Sequence, residues 1–519
     1  MLLDITQTIL PVVQVPLLLG SLVLFWHIWR FTVNPFLNPS GVKELPYWIP
    51  FFGHVYSFFW NSVELLESGV DYTGRTHEPF AINLPGTRLY IVTRPRDVTD
   101  IFNNQTGIDN DYSLREILLA YGVTSDGLKR AWHRPQPGDW CYVPNNPLNP
   151  EQMCFIKMVQ DGYRKHLLTP VTMDQMAQVF VRSLLENIQP DNISYCMAGD
   201  THLFSIYALS RYAMIEASAQ SMFGSHLHEI DPEIASHMLA FNDYAWQVVM
   251  RYPDFFGRLP VSKPRKKMMA IMKQFVGRPV SSNSQANAFV RNVLAGMEIT
   301  ALDMHSRAAM MLMIFWAAVS NEYNGTFWLM AHLLHDEALL KQVEQETEAA
   351  WQSGQLNIKH LTESCPILDA TFNEVLRHKN AAGAMRRVAE KTRIGNKELQ
   401  PGSIAYIPFH QIHTNEEVWG DNSLVFDHTR FLKRKSLARN ASFRPFGGGA
   451  TYCPGRTLAK QEVFSAIAII LHRFDVRLAE VGHGKQQFPI LNVKTPSLGL
   501  NGPIKGMDVI AEMVPKQEK

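Results

Sequence analysis

The sequence predicts a mainly α-helical protein carried on one membrane-spanning helix at its N-terminus. Three observations carry this expectation. Val463, Phe464, Ile467, Ile470, Leu471 and Phe474 recur at spacings of one, three and four, an apolar helical stripe. Residues 306–334 hold a dense apolar run, 308–319, followed by a polar cluster and further apolar residues; as one helix this segment would reach about 44 Å, enough to cross a large domain. Residues 9–28 are almost all apolar, with Gln14 and His27 the main interruptions, and have the length of one bilayer crossing.

Taken from the N-terminus, the apolar run is preceded by Asp4 with no lysine or arginine, and no small-residue cleavage site follows it. That describes an uncleaved anchor better than a signal peptide. Arg30 and Lys43 come after the run, so the positive-inside rule keeps the body on the cytosolic side. We expect an anchor over 1–30, a stiff proline-rich hinge over 31–53 (Pro35, Pro39, Pro46, Pro50), and one catalytic body over 54–519. Proline disfavours helix and sheet interiors, so regular structure is expected to stop at the hinge.

Of the 519 residues, 46% are hydrophobic and 19% charged, which supports a large core and argues against disorder. A net charge of +1 gives no footing for nucleic-acid binding. Five cysteines stand at 141, 154, 196, 365 and 453, none in a C-x-x-C pair. Neither a zinc site nor a disulfide framework is indicated, and a reducing compartment fits.

The chemistry centres on Cys453. Residues 446–456 read Phe-Gly-Gly-Gly-Ala-Thr-Tyr-Cys-Pro-Gly-Arg and lead straight into the apolar stripe. The cysteine therefore lies where a loop ends and a helix begins. Unpaired N–H groups and the helix dipole at such an end favour a thiolate, and the glycines let the backbone turn and approach a flat group closely. A thiolate beneath bare backbone suits axial ligation of haem iron. The full pattern Phe-x-x-Gly-x-x-x-Cys-x-Gly closely resembles the haem-binding loop of the cytochrome P450 superfamily. The resemblance implies that fold, mainly α with small β-sheets, and haem b ligated by Cys453, with Phe446, Gly447, Gly449 and Gly455 shaping the cofactor loop. The anchor and hinge are similar to those of microsomal members, whose place is the endoplasmic reticulum membrane.

Further motifs extend the likeness. Residues 365–377 form a helix pattern with Ile367, Leu368, Phe372, Val375 and Leu376 on one face. Glu374 and Arg377, three apart, can pair on the other, which alone describes a surface contact. Their place resembles the superfamily's Glu-x-x-Arg motif, and residues 426–431 resemble the segment supplying a second arginine, Arg430. The three would then form a structural lock behind the haem. Between them, Arg386 or Arg387 matches the arginine that reaches a haem propionate, by the fit of guanidinium to carboxylate. Two residues before the thiolate most members carry Arg or His; this chain has Thr451. Either Arg164, Lys165 or His166 compensates, or those three are a solvated helix face.

In the long helix most members place an acid followed by threonine. Counting back from His335 puts Ser320 and Asn321 there. The segment from Trp316 to Trp328 resembles the branch of cholesterol 7α-hydroxylase, sterol 12α-hydroxylase and prostacyclin synthase, with fungal relatives in secondary metabolism. Asparagine hydrogen-bonds well but donates protons poorly. Gly325 and the polar cluster are expected to interrupt this helix. The resemblance implies a monooxygenase that inserts one atom of O2 into a lipophilic substrate such as a terpenoid, steroid or related secondary metabolite. Electrons would come from NADPH through NADPH-cytochrome P450 reductase, and Ser320 and Asn321 would position water. The basic residues near the thiolate loop, Lys433, Arg434, Lys435 and Arg439, are reductase-docking positions or plain solvated surface. Ala318, Gly325, Ala384, Met385 and Leu498 to Asn501, including Leu500, resemble substrate-recognition positions. Two other functions stay open: a prostacyclin-synthase-like isomerase or dehydratase, and a haem sensor without turnover.

Overall fold

The computed structural model of the chain describes residues 2–104, 106–199, 202–252, 254, 257–480, 486–495 and 499–517, with backbone alone for residues 2–14 and Ala450. Helices carry most of it. The apolar run becomes the helix Met304–Val319, and a second helix, Glu322–His335, continues it after a break at Ser320 and Asn321. Ala308, Ala309, Met311, Leu312 and Phe315 are fully buried, against the helices Ser262–Gly277, Tyr112–Tyr121 and Ile206–Phe223. One face of this core helix is left uncovered. Met313, Ala317 and Asn321 share a face at four-residue intervals; Ala317 is exposed and the other two half-buried.

Small sheets flank the helices. The largest runs in the order Lys43–Glu44, Phe80–Leu84, Thr87–Ile91, Ile404–Pro408, Gly383–Val388, Ile108–Asp109. Ile404–Pro408 pairs antiparallel with Gly383–Val388, Ala405 opposite Arg386. Side chains alternate across a strand, so Ala384, Arg386 and Val388 share one face while Met385 and Arg387 share the other. A three-stranded sheet of Phe474–Leu478, Ile510–Pro515 and Leu203–Ser205 closes the C-terminus.

The N-terminal helix does not stop at Pro35, the first proline of the expected hinge. Leu2–Ile28 is followed by a π-helical turn, Trp29–Val33, and a last turn, Asn34–Leu37. Pro35 has no N–H, and its ring would strike the carbonyl four residues back in a regular helix. The wider π turn, in which the N–H of Asn34 reaches the carbonyl of Trp29, precedes the proline and relieves that conflict. The stretch Val15–Leu37, 23 residues of mean hydropathy 1.4, is long and apolar enough to cross a membrane, and Leu17 and Phe25 stand 65% and 68% exposed. Its lower end is seated on the body. Arg30 pairs with Glu44 at 3.1 Å and lies over the Trp26 and Tyr47 rings, while His27 stacks on Trp48 at 4.1 Å. The expected hinge thus holds a helical turn and an edge strand, and becomes irregular only between them and beyond Glu44.

Candidate functional site

The glycine-rich loop is built by close approach to the helix Pro95–Asn103. Gly449 has φ +61, and a Cβ there would stand 2.5 Å from the carbonyl oxygen of Phe102; one on Gly448 would meet the Phe102 ring at 3.0 Å. Gly447, φ +78, turns the chain ahead of them. Only glycine serves at both left-handed positions without strain. The N–H of Cys453 closes the loop on the carbonyl of Phe446 at 2.9 Å, and after Gly455 the helix Arg456–Arg473 begins. The N–H groups of Gly455 and Arg456 and the Arg456 cation do act on the thiol as expected for a helix entry. Burial nevertheless outweighs them and pushes the Cys453 thiol up, with the Glu322 carboxyl adding to the rise. The helix end alone therefore does not favour the thiolate; a metal cation on sulfur would, because a coordinating thiol is deprotonated.

The break in the core helix lies at Ser320 and Asn321, not at Gly325. The N–H of Gly325 still bonds the carbonyl of Asn321 at 3.1 Å, so the ladder runs through the glycine. A Cβ on Gly325 would touch Leu500, Val463 and Phe372 at 3.6–3.7 Å, so this residue faces packing. The Asn321 amide donates to the Ser320 hydroxyl at 3.1 Å and accepts from the Leu500 N–H at 2.9 Å. Ala318 is half-buried against the core. Ala384 and Met385, on opposite faces of their strand, pack into different clusters. Leu498 lies outside the described residues.

Glu374 and Arg377 are not a surface pair: both are fully buried. Arg377 spends all five N–H groups. Two go to Glu374 at 2.6 and 2.9 Å, and three to the carbonyls of His413, Ser423 and Val425. Arg430 joins through Glu374 at 3.3 Å, and the Asp427 N–H adds a fourth donor to that carboxylate. A buried pair is tolerable only when so completely satisfied, and this one ties the helix Pro366–His378 to the chain leading into the glycine loop.

Of the two neighbouring arginines, Arg386 is buried and Arg387 exposed, the latter lying over the Tyr112 ring. Arg386 donates to the Met385 carbonyl at 2.8 Å and to the Thr451 hydroxyl; its Nε, also buried, has no partner among the described residues. Burial lowers it to about 10. Thr451, the departure from the family pattern, thus sits against the arginine. Lys165 pairs with Asp161 at 2.7 Å and Arg164 is exposed, a solvated helix face, while His166 bonds Asn292 at 3.0 Å.

Three groups escaped the sequence reading. Arg444 lies over the Phe102 ring at 5.7 Å, as Arg386 does at 5.3 Å, and burial lowers it too. Glu322, one residue past the break, and Glu462, on the helix that leaves the cysteine loop, share a hydrogen bond. The Ser218 hydroxyl donates to Glu322 at 3.1 Å. Burial raises Glu322 to about 7, and burial plus the neighbouring carboxyl raise Glu462 further. A carboxylate directly after the expected polar pair was the available signal. Lys433, Arg434, Lys435 and Arg439 are all exposed.

The residues present suit a flat group that is cationic at its centre and anionic at its rim. The buried Arg386 and half-buried Arg444 guanidiniums, with no carboxylate among their partners in the described residues, suit its acid groups, the glycine loop lets backbone approach its face, and Cys453 follows directly on that loop. A cysteine set in this way on such a loop, in a fold with a broken core helix, has the make-up of a haem-thiolate enzyme. The family model described as Cytochrome P450 matches residues 159–499, about two-thirds of the chain, and the chain belongs to that family. Curated relatives include the cytochrome P450 monooxygenase nodJ of Hypoxylon pulicicidum, 23% identical over 511 residues that cover 93% of this chain and 91% of the relative. The cytochrome P450 monooxygenase poxD of Penicillium oxalicum is 22% identical, covering 88% and 91%. Cholesterol 7-alpha-monooxygenase of Cricetulus griseus is 24% identical, covering 58% and 65%. The chain is therefore a monooxygenase of the family, with relatives in both the fungal group and the cholesterol 7α-hydroxylase branch that its long helix resembles.

Proposed function

We propose that this chain is a membrane-anchored monooxygenase that hydroxylates a lipophilic scaffold, a terpenoid, steroid or related secondary metabolite, with NADPH electrons delivered by NADPH-cytochrome P450 reductase. The observation that carries the reading is Cys453 at a glycine loop built against Phe102, flanked by the uncompensated Arg386. Haem b, when bound, supplies the activation of O2 and the oxygen transfer. Cys453 would hold its iron, Arg386 and Arg444 its acid edge, and Phe446, Gly447, Gly449 and Gly455 the loop beneath it. Glu374, Arg377 and Arg430 keep that loop in register. The uncovered face of Met313, Ala317 and Asn321 offers apolar surface to a substrate, and the Ser320 hydroxyl and the second amide hydrogen of Asn321 hold water at the break.

The exposed cluster of Lys433, Arg434, Lys435 and Arg439, close in sequence to the cysteine loop, suits an acidic reductase face. The apolar helix and the positive charges after it support residence in the endoplasmic reticulum membrane with the body in the cytosol. The test is the reduced, carbon-monoxide difference spectrum of wild type and Cys453→Ala. A long-wavelength Soret band present in the first and lost in the second is expected. Its absence from folded, haem-supplemented wild type would overturn the reading.

A further inference from the structure

Asn321 stands where most of the family carries an alcohol, and its side chain is already engaged. The strap Gly499–Gly502 crosses the helix break and is held there by three side chains of one helical face. Asn321 Oδ1 accepts the Leu500 N–H at 2.9 Å, Asn324 Nδ2 donates to the Leu500 carbonyl at 2.8 Å, and Trp328 Nε1 donates to the Asn501 carbonyl at 2.7 Å. Positions 321, 324 and 328 are three and four apart, so they line one side of the helix. On its other side Leu500 bridges Asn380, three residues before the strand that carries Arg386. The strap therefore spans from the break to the wall of the site.

The fit is close. A Cβ on Gly499 would lie 1.7 Å from Asn321 Oδ1, and one on Gly502 would lie 2.3 Å from the Tyr207 hydroxyl and 3.1 Å from Asn324 Oδ1. Asn324 and Trp328 are buried, where an unpaired amide or indole N–H is costly. Each strap glycine is thus matched to a polar side chain beneath it. A threonine at 321 has one hydroxyl that rotates and stands on a shorter stem; it does not offer a carbonyl oxygen to the Leu500 N–H.

We infer that Asn321 is a positioning residue: its carbonyl oxygen latches the Gly499–Gly502 strap across the helix break and so fixes the wall of the substrate site, in place of the proton-relay role that an alcohol holds there. The inference rests on the monooxygenase reading only for the word substrate; the latch itself is testable without turnover. Asn324 and Trp328 complete it from the buried side, and the remaining Asn321 amide hydrogen stays available to water.

The experiment is hydrogen–deuterium exchange of the strap in the full-length, haem-loaded enzyme, comparing wild type with Asn321→Ala, Asn321→Thr and Asn321→Asp. Aspartate retains an acceptor oxygen at the same distance from the backbone. The Leu500 amide should exchange about fivefold to tenfold faster in the Ala and Thr variants, the loss of one hydrogen bond, and near the wild-type rate in the Asp variant. Gly499→Ala should loosen the strap from the other side, and far less so in an Asn321→Ala background, where the clash is gone. Unchanged exchange in Asn321→Ala, or Asn321→Thr behaving as wild type while Asn321→Asp does not, would overturn the latch. The carbon-monoxide band, read on the same samples, reports the haem separately, so failure of the monooxygenase reading is distinguishable from failure of the latch.

Discussion

Replacing Glu462 by glutamine should make the protein more stable at pH 8 and leave it nearly unchanged at pH 5. Glu322 and Glu462 share a hydrogen bond in a buried setting, and the second oxygen of Glu462 has no partner among the described residues. Two buried carboxyls in contact cannot both ionise cheaply. Glu322 rises from the ordinary 4.5 to about 7, worth up to about 3 kcal/mol at about 1.4 kcal/mol per pH unit. The sign follows from the direction. A folded value above the unfolded one stabilises fully below pH 4.5, and that stabilisation is lost as pH climbs through about 7. Glu462 moves the same way, and the two titrate as a pair. Glutamine preserves a donor to Glu322 and removes the second charge. The assay is urea unfolding of the detergent-solubilised, haem-loaded chain at pH 5, 6.5 and 8, wild type against variant, so that groups common to both cancel. The expected difference is near zero at pH 5 and grows in favour of the variant towards pH 8, by about 1 kcal/mol for each pH unit by which Glu462 is raised. Equal stability at both ends, or a variant weaker at pH 8, would refute a shared proton.

The other expectations concern the cysteine loop and its supports. Gly449→Ala combines a left-handed φ with a Cβ 2.5 Å from the Phe102 carbonyl; it should cost about 1–3 kcal/mol and appear as low haem content in purified protein. Arg377→Lys leaves three of five buried hydrogen bonds at best and should lower stability by about 3–5 kcal/mol, read as a fall in melting temperature. Arg386→Gln should speed haem loss to apomyoglobin several-fold, while Arg387→Gln, at an exposed position, should leave it unchanged; the reverse order would return the propionate to Arg387.

What could be read from the sequence was local and chemical. The Cys453 loop, the helix pattern of residues 365–377 and the apolar core run each announce themselves within about a dozen residues, because turn chemistry and 3.6-residue periodicity are short-range. Facing was harder. Arg386 and Arg387 are adjacent, and only the register of Ala405 opposite Arg386 shows which one turns inward. An interruption by Gly325 and the polar cluster is legible, but not which residue makes it: the structure breaks at the Ser–Asn pair that opens the cluster, whose side chains bond each other and the strap, and not at the glycine. The Asn321–Leu500 contact joins positions 179 residues apart, and no local pattern encodes it. Pro35 misled for a related reason: a π turn upstream lets a proline stay helical, and that accommodation depends on backbone geometry, not on the residue.

The electrostatics of the folded chain argue for its cofactor independently of any motif. At one side of the glycine loop two guanidiniums, Arg386 and Arg444, flank the same phenylalanine ring, and burial lowers both. A buried cation of this kind is costly unless an anion meets it. The Cys453 thiol is pushed up by the same burial, and a metal cation on sulfur would favour its thiolate. Glu322 and Glu462 sit as a carboxyl pair that favours retaining a proton. Separate ions could answer each demand singly. One rigid group with a metal at its centre and two carboxylates on its edge answers both at once, and the glycines at 447 and 449 leave its face free of side chains.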